Sequence, residues 1–200
     1  MAKATPLNEI LTGSTSNIMR VLNSANNAQI DAGKEWYERA NRLAKKLGEK
    51  HNIPVQNVVF AIAALSPIKD WGGNQLATIE LVETGDTKNQ TPDNVAKAKK
   101  CLAGDLGALR GQKVTRFAGA IMNPQGDSVA CIDRHAFSIW MGAKQTDVQQ
   151  KVLARKGAYE TIADSYEIAA KISGRPVHEV QAITWVVWRD MHDVERKIGK

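Results

Sequence analysis

Two short stretches of the chain carry residues whose types and spacing could do chemistry. The first runs from Leu109 through Gly111 to Lys113, and Asp133 follows Lys113 by twenty residues within the second stretch, Cys131–Ala136. A glycine turn before a helix leaves backbone N–H groups that, with the helix dipole, favour a bound phosphate. A carboxylate held beside a cleft can stabilise positive charge or activate water. Both stretches are therefore candidate functional sites.

Each of these residues also has a purely structural interpretation. An Asp that precedes a helix is most often an N-cap, which is worth about 1 kcal/mol. His135 fits a capping or core histidine, and Lys113 fits an ordinary surface lysine. Taken singly, the residues leave both interpretations open.

Positive charge is concentrated around the glycine turn. The chain has 27 Lys and Arg residues and 21 Asp and Glu residues, which gives a formal net charge of +6. Residues 97–116 contain only one acidic residue, Asp105. Their basic residues are Lys97, Lys99, Lys100, Arg110, Lys113 and Arg116. Such a stripe is the usual footprint of a polyanionic partner, and a solvated helix face with uneven counter-charges is the alternative.

Cysteine usage and hydropathy exclude several classes of protein. The two cysteines, Cys101 and Cys131, cannot form a disulfide framework, a zinc motif or a four-thiolate iron–sulfur site. Residues 1–6 lack the apolar core of a signal peptide. The longest apolar run, Val58–Leu65, is much shorter than the about 20 residues of a membrane span. We expect a cytoplasmic protein with reduced thiols, no metal, no other cofactor and no membrane partner.

Helical periodicity predicts the elements that must position these residues. Nothing alternates with period two for long enough to require a sheet, so the predicted fold class is all-α with about nine helices. Ser66-Pro67 predicts a break, and Asp70–Gly73 predicts a turn. The predicted helices include residues 31–50, 55–65, 74–82, 92–100, 113–122, 136–141, 158–172 and 176–191.

The order of these motifs resembles the helix–hairpin–helix DNA glycosylases of the endonuclease III and adenine-mismatch type. That family carries a Leu-Pro-Gly-Val-Gly hairpin, a lysine in the next helix and then Val-Asp-Thr-His. Leu109–Lys113 and Ile132–His135 are similar to these two motifs. Ala63–Pro67 resembles the family's Leu-Leu-Ser-Ala-Gln segment, and Gln181–Arg189 resembles its helix that ends in an apolar run and Gly-Arg. The resemblance spans about residues 55–190.

A second resemblance is to small bacteriophage-encoded proteins that carry Leu-Ser-Pro, Lys-Val and Ile-Asp-Arg-His. These motifs occur here as Leu65–Pro67, Lys113-Val114 and Ile132–His135. The two resemblances together imply a small bacteriophage-encoded glycosylase without the iron–sulfur cluster, located in the host cytoplasm.

The resemblance implies a fold, a reaction and a partner. The fold is one domain over residues 1–200, with a cleft between two helical subdomains. One subdomain would comprise residues 30–145, with the hairpin near 104–122, and the second lobe would comprise the N-terminal helices with residues 156–200. The partner is double-stranded DNA, from which a damaged or modified base is flipped out before its N-glycosidic bond is cleaved.

The implied catalytic residues are Asp133 and Lys113. Asp133 would stabilise the oxocarbenium-like sugar, and Lys113 would add lyase activity if it attacks as a Schiff-base nucleophile. Leu-Arg-Gly-Gln-Lys lacks the family's proline and second glycine, however. The family's lysine position falls on Thr115 if Leu109 and Gly111 set the register, and on Arg116 if Asn123 does.

Further residues are implied to contact DNA. The family's wedge glutamine is replaced near Ile68 or Lys69, and Trp71 fits either a base-holding aromatic or a packing residue of the following helix. The implied DNA-binding residues are Arg110, Gly111, Gln112, Thr115, Arg116, Ser66, Lys69, Asn74, Trp71, Arg134 and His135.

Three other functions remain open on the sequence. The same fold could bind bent or damaged DNA without an active pocket, or it could act in phage DNA base hypermodification rather than repair. A helical protein-interaction domain is the third. We expect a monomer.

Overall fold

The helical periodicity of the sequence is realised throughout the computed structural model, which describes residues 6–67, 69–126 and 130–192. Every regular element in these ranges is a helix, so the all-α prediction is confirmed there. No helix in these ranges is both long enough and apolar enough to cross a membrane. The α-helices are α1 (Leu7–Ile10), α2 (Thr15–Asn23), α3 (Asn27–His51), α4 (Val55–Ala64), α5 (Trp71–Thr84), α6 (Pro92–Leu102), α7 (Gln112–Met122), α8 (Arg134–Met141), α9 (Asp147–Gln150), α10 (Ala158–Ser173) and α11 (Val177–Met191), with 3-10 helices at Leu106–Ala108 and Lys151–Ala154.

The chain divides into two compact units. The central unit comprises residues 37–128, and the terminal unit comprises residues 1–36 with 129–200. The boundary between them falls within α3, after Trp36. These bounds differ from the division inferred above, because α8 packs against α2, α10 and α11 and so groups with the terminal unit.

Helix α4 forms the core of the central unit. Its alanines and β-branched residues are buried on nearly all sides, and it packs against α5, α6 and α7. Helix α3 fixes α7 through Asn41, whose Nδ2 donates to the Ile121 carbonyl at 2.8 Å. The Tyr37 and Phe117 rings also meet edge to face at 6.2 Å. The N-terminus of α6 is set by Thr91, whose hydroxyl accepts from Asn94 N–H.

The terminal unit has its own hydrophobic core, formed by α2, α8, α10 and α11. Its Tyr166 and Phe137 side chains are almost completely buried, and Trp140 and Trp188 are buried in the same core. Gly33 of α3 contacts Ile183 of α11 so closely that a Cβ at residue 33 would lie 2.6 Å from the Ile183 Cα. This unit therefore places α8, and Asp133 before it, on a rigid base of packed helices.

The structure corrects the start of α5. Asp70–Gly73 does not form a turn, because α5 begins at Trp71 and includes both glycines. The Asp70 carboxylate accepts a hydrogen bond from Gly73 N–H at 2.7 Å and so satisfies a donor of the first helical turn. This cap outweighs the low helix propensity of Gly72 and Gly73.

Candidate functional site

The α6–α7 loop, residues 103–111, contains the glycine turn. The 3-10 helix Leu106–Ala108 lies within it, and Gly111 is the N-cap of α7 with φ +111° and no side-chain cap. That φ favours glycine, since a Cβ there would be strained. Thr115 N–H bonds to the Gly111 carbonyl at 3.1 Å and closes the first turn of α7. The loop therefore delivers a helix N-terminus without a side-chain cap, as the sequence predicted.

Two of the six basic residues near this loop are neutralised by carboxylates outside the 97–116 stretch. Lys97 Nζ lies 2.6 Å from an Asp93 oxygen, and Lys99 Nζ lies 2.9 Å from an Asp86 oxygen. The hydrogen bond and charge of Lys99 lower the pKa of the Asp86 carboxyl. The local positive excess is therefore smaller than the sequence stretch indicates.

A groove of about 370 Å³ lies between α6 and the α6–α7 loop. Lys100 and Arg110 line it together with the Lys97–Asp93 pair and Asp105. Arg110 Nε also donates to the Gly107 carbonyl at 3.3 Å. The groove thus has mixed charge with a small positive excess.

Lys113, Thr115 and Arg116, the three candidates in α7 for the lysine position of the glycosylase family, have different environments. Lys113 is exposed, whereas Arg116 is half-buried and its Nη1 atom is shielded from solvent. The Thr115 hydroxyl donates within its own helix, to the carbonyls of Gly111 (3.0 Å) and Gln112 (3.2 Å). Lys113 is therefore the one of the three that combines an amine with an exposed position.

Ser66 and Asn74 are fixed by hydrogen bonds to carbonyls of α4. Ser66 Oγ donates to the Ala63 carbonyl, and Asn74 Nδ2 donates to the Ile62 carbonyl, both at 2.9 Å. Because Asn74 is only 2% exposed, the geometry assigns it a packing role rather than contact with DNA.

The remaining residues of that segment differ in exposure. Lys69 is exposed, and Trp71 is half-buried as the first residue of α5. Ile68, the other wedge position, lies outside the described residues. Trp71 therefore keeps both of its interpretations.

Asp133 is the N-cap of α8. Its Oδ1 accepts from His135 N–H at 2.9 Å and from Ala136 N–H at 2.8 Å, and the residue is half-buried. The structural role inferred from sequence is therefore present. Both bonds end on Oδ1, so capping does not use Oδ2. Burial raises the pKa of Tyr166, and the charge of Asp133 acts in the same direction.

An aromatic cluster at His135 was missed by sequence reasoning. His135 contacts Trp185 with ring centroids 6.2 Å apart and planes at 90°, and Trp36 meets Trp185 at 6.1 Å and 66°. The Arg189 guanidinium lies 4.6 Å from the Trp185 ring. We call these four half-buried residues the Trp185 cluster. Its members come from three distant parts of the chain, and no local pattern indicates their proximity.

The structure distributes the candidate residues over both units. The central unit contains two groups of these residues. One lies at or just before the start of α7: Arg110, Gly111, Gln112, Lys113, Thr115 and Arg116. The other lies between α4 and the first turn of α5: Ser66, Lys69, Trp71 and Asn74. Asp133, exposed Arg134 and His135 lie at the start of α8 in the terminal unit. Among the described residues, no three His, Cys, Asp or Glu side chains are grouped to hold a metal ion.

Comparison with known protein families gives a match over nearly the whole chain. The sequence profile of a family of unknown function (DUF7178) matches residues 2–192. No curated protein and no solved structure matches the chain. Because the profile covers nearly the whole chain, the protein belongs to the DUF7178 family.

Proposed function

We propose that this protein binds double-stranded DNA and excises a damaged or modified base, with Asp133 as the catalytic carboxylate. The observation that carries the proposal is the fixing of Asp133: two backbone N–H groups hold Oδ1, while capping leaves Oδ2 unused. A carboxylate fixed in this way needs little reorganisation when positive charge develops nearby. The half-buried Trp185 cluster begins two residues later, at His135.

The proposed chemistry is hydrolysis of an N-glycosidic bond. The base is first extruded from the stack. The C1′–N bond then breaks, and the base leaves with the bonding electron pair and takes up a proton. Asp133 stabilises the resulting oxocarbenium-like sugar, as carboxylates do in glycosidases. Water adds to C1′ and loses a proton, which leaves an abasic sugar.

The start of α7 would hold the DNA backbone. Helix N-termini favour phosphate, and Arg110 and Lys113 place cations beside this one. Contacts of this kind fix the register of the protein on the duplex without reading its sequence. Base selection would then rest on other residues, and the Trp185 cluster supplies aromatic rings that can stack on a base.

Lys113 offers a variant of the reaction. An amine that attacks C1′ in place of water forms a Schiff base and permits strand cleavage. Borohydride would reduce that Schiff base to a stable protein–DNA adduct. We expect Lys113→Ala to abolish the adduct, and an adduct of wild-type yield in this variant would reject the assignment.

A second candidate function is DNA binding without catalysis. The observation in its favour is that the two capping bonds are by themselves a sufficient structural reason for Asp at position 133. Action on a hypermodified phage base is a choice of substrate at the same site, so hypermodified bases belong among the substrates tested.

The test is release of free base, measured by mass spectrometry, from duplexes that carry damaged, hypermodified or ordinary bases. Asp133→Asn is the informative variant, because Asn caps helices about as well as Asp and removes only the charge. We expect it to lose at least about 100-fold in turnover, the loss typical of one preorganised electrostatic group. Asp164→Asn makes the same change at an exposed position of the same unit and should keep wild-type turnover.

The outcomes separate the candidates. Equal turnover in the two variants would reject Asp133 as the catalytic group. If wild-type protein retains duplex but releases no base from any substrate, DNA binding without catalysis is the better description. Affinity for duplex should fall steeply with salt, and Lys113→Ala should reduce the salt slope by about 0.9 whereas Lys45→Ala on α3 should not. Affinity independent of salt would reject DNA as the partner.

A further inference from the structure

We propose that Tyr159 and Tyr166 of α10 are positioning residues for Asp133, each holding the backbone on one side of it. The inference rests on the proposed function only in giving Asp133 a catalytic task. The two hydroxyls act on the segment that carries Asp133 whether or not that task is confirmed.

Tyr159 holds the segment before Asp133. Its Oη accepts from Ile132 N–H at 2.8 Å and donates to the Ala130 carbonyl at 3.3 Å. Residues 130–133 form no helix, so Ile132 N–H has no helical acceptor. Ala130 and Ile132 are buried, and an unbonded backbone group there would be costly. One phenol therefore satisfies both a donor and an acceptor of the buried segment.

Tyr166 holds the segment after Asp133. Its fully buried hydroxyl donates to the Ala136 carbonyl at 3.3 Å. Ala136 is also the residue whose N–H bonds to Asp133 Oδ1 at 2.8 Å. Tyr159 and Tyr166 are seven residues apart, which places them on the same face of α10. The two hydroxyls, both from α10, thus bind the backbone on either side of Asp133.

The contacts made by the two tyrosine hydroxyls position the Asp133 carboxylate in addition to stabilising the fold. The position of the Asp133 Cα depends on the segment that Tyr159 binds, and the position of Oδ1 depends on N–H groups in the turn that Tyr166 binds. A displacement of about 1 Å in a reacting group can reduce turnover about 100-fold. Loss of either hydroxyl should therefore act on turnover through Asp133.

The first experiment measures amide hydrogen exchange by NMR in Tyr159→Phe and Tyr166→Phe. The reporters are His135 and Ala136 N–H, the donors to Asp133 Oδ1. Each substitution should raise their exchange rates about tenfold, the effect of weakening one hydrogen bond. Tyr37→Phe, at the buried tyrosine of the central unit, should leave both rates unchanged. A purely structural role for Tyr159 would instead raise exchange at Ile132 alone.

The second experiment measures base release. Tyr159→Phe should lower kcat about tenfold or more with unchanged KM. The same change in an Asp133→Asn background should cause no further loss, since the group it positions is already gone. Wild-type exchange at His135 and Ala136 in both tyrosine variants, or an equal loss of kcat in both backgrounds, would overturn the inference.

The two proposals can fail separately. If wild-type protein releases no base, the proposed function fails while the exchange rates still decide the positioning role. A variant that unfolds without cooperativity is not properly folded, and if Tyr159→Phe behaves in this way, Tyr166→Phe decides through the same two amides. Tyr166→Phe is the milder change, because the Ala136 carbonyl keeps its hydrogen bond within the helix when the tyrosine hydroxyl is removed.

Discussion

Replacing Gly33 by alanine should destabilise the protein although alanine is the better helix former. Gly33 is buried in α3 where this helix meets α11. A Cβ at this position would lie 2.5 Å from Ile183 Cγ1, 2.6 Å from its Cα and 2.7 Å from its N. Two of these three atoms are backbone, so a change of side-chain rotamer cannot relieve the overlap. The helices must separate or bend.

The expected change in the free energy of unfolding for Gly33→Ala is the sum of two opposing contributions. Overpacking a well-packed site costs about 1–3 kcal/mol, and contact with backbone places Gly33→Ala near the upper end. Alanine regains about 1 kcal/mol of helix propensity relative to glycine. The net loss in the free energy of unfolding is then about 2 kcal/mol. For a chain of this size that corresponds to a decrease in Tm of about 4–8 °C.

Gly119→Ala is the matched control. Gly119 lies in α7 and is exposed, and a Cβ there would meet no atom within 4 Å. This substitution should therefore stabilise the protein by about 0.5–1 kcal/mol through propensity alone. Thermal and urea unfolding followed by circular dichroism compares the two variants directly. Shifts of the same sign in both would refute the assignment of a close α3–α11 contact at Gly33.

Three further measurements test other parts of the structure. Asp133→Ala should cost about 1 kcal/mol in urea unfolding whereas Asp133→Asn should change stability by only a few tenths, and equal losses would contradict the capping role. Because Lys99 lowers the pKa of Asp86, their ion pair should contribute to stability above the ordinary pKa of Asp and be lost as pH falls through the lowered value. Lys99→Ala should then raise the Asp86 midpoint in an NMR titration, and an unchanged midpoint would reject the pair in solution. Cys101 is buried in α6, and burial also raises the pKa of its thiol, so Cys101 should react with a thiol reagent only after unfolding, and rapid labelling of Cys101 in native protein would show that α6 opens.

The sequence was most informative where local signals agree. Thr91 followed by Pro92 combines an N-cap with a preferred first helical residue, and α6 begins there. Periodicity also indicated the long helices α10 and α11. The start of α5 was predicted wrongly because two consecutive glycines were given more weight than the Asp70 cap. Ser14 and Thr146 are also residue types that favour an N-cap, and each precedes a short helix that periodicity alone did not predict.

Contacts between distant parts of the chain explain most of what the sequence did not predict about the local charge and the candidate site. The charge of residues 97–116 could be counted from the sequence, but the pairing of Lys99 with Asp86 of the α5–α6 loop depends on the fold. The Lys97–Asp93 pair is a local i,i+4 pair of α6 whose acidic member lies just outside the chosen stretch. The Trp185 cluster and the bond from Ile132 to Tyr159 also depend on the fold. The type of a residue is known from the sequence itself, whereas its contact partner in a distant part of the chain is known only from the folded structure.

Asp133 shows why capping and catalysis need not be alternatives. From the sequence, an N-cap and a catalytic carboxylate appear as competing explanations of one residue. The structure assigns the cap to Oδ1 through two N–H donors, and the second oxygen takes no part in it. A cap that uses one oxygen also orients the other and places it at the positive end of α8. The same bonds that stabilise the helix would therefore preorganise the anion, and the two roles separate experimentally only when the charge is removed and the cap is kept, as in Asp133→Asn.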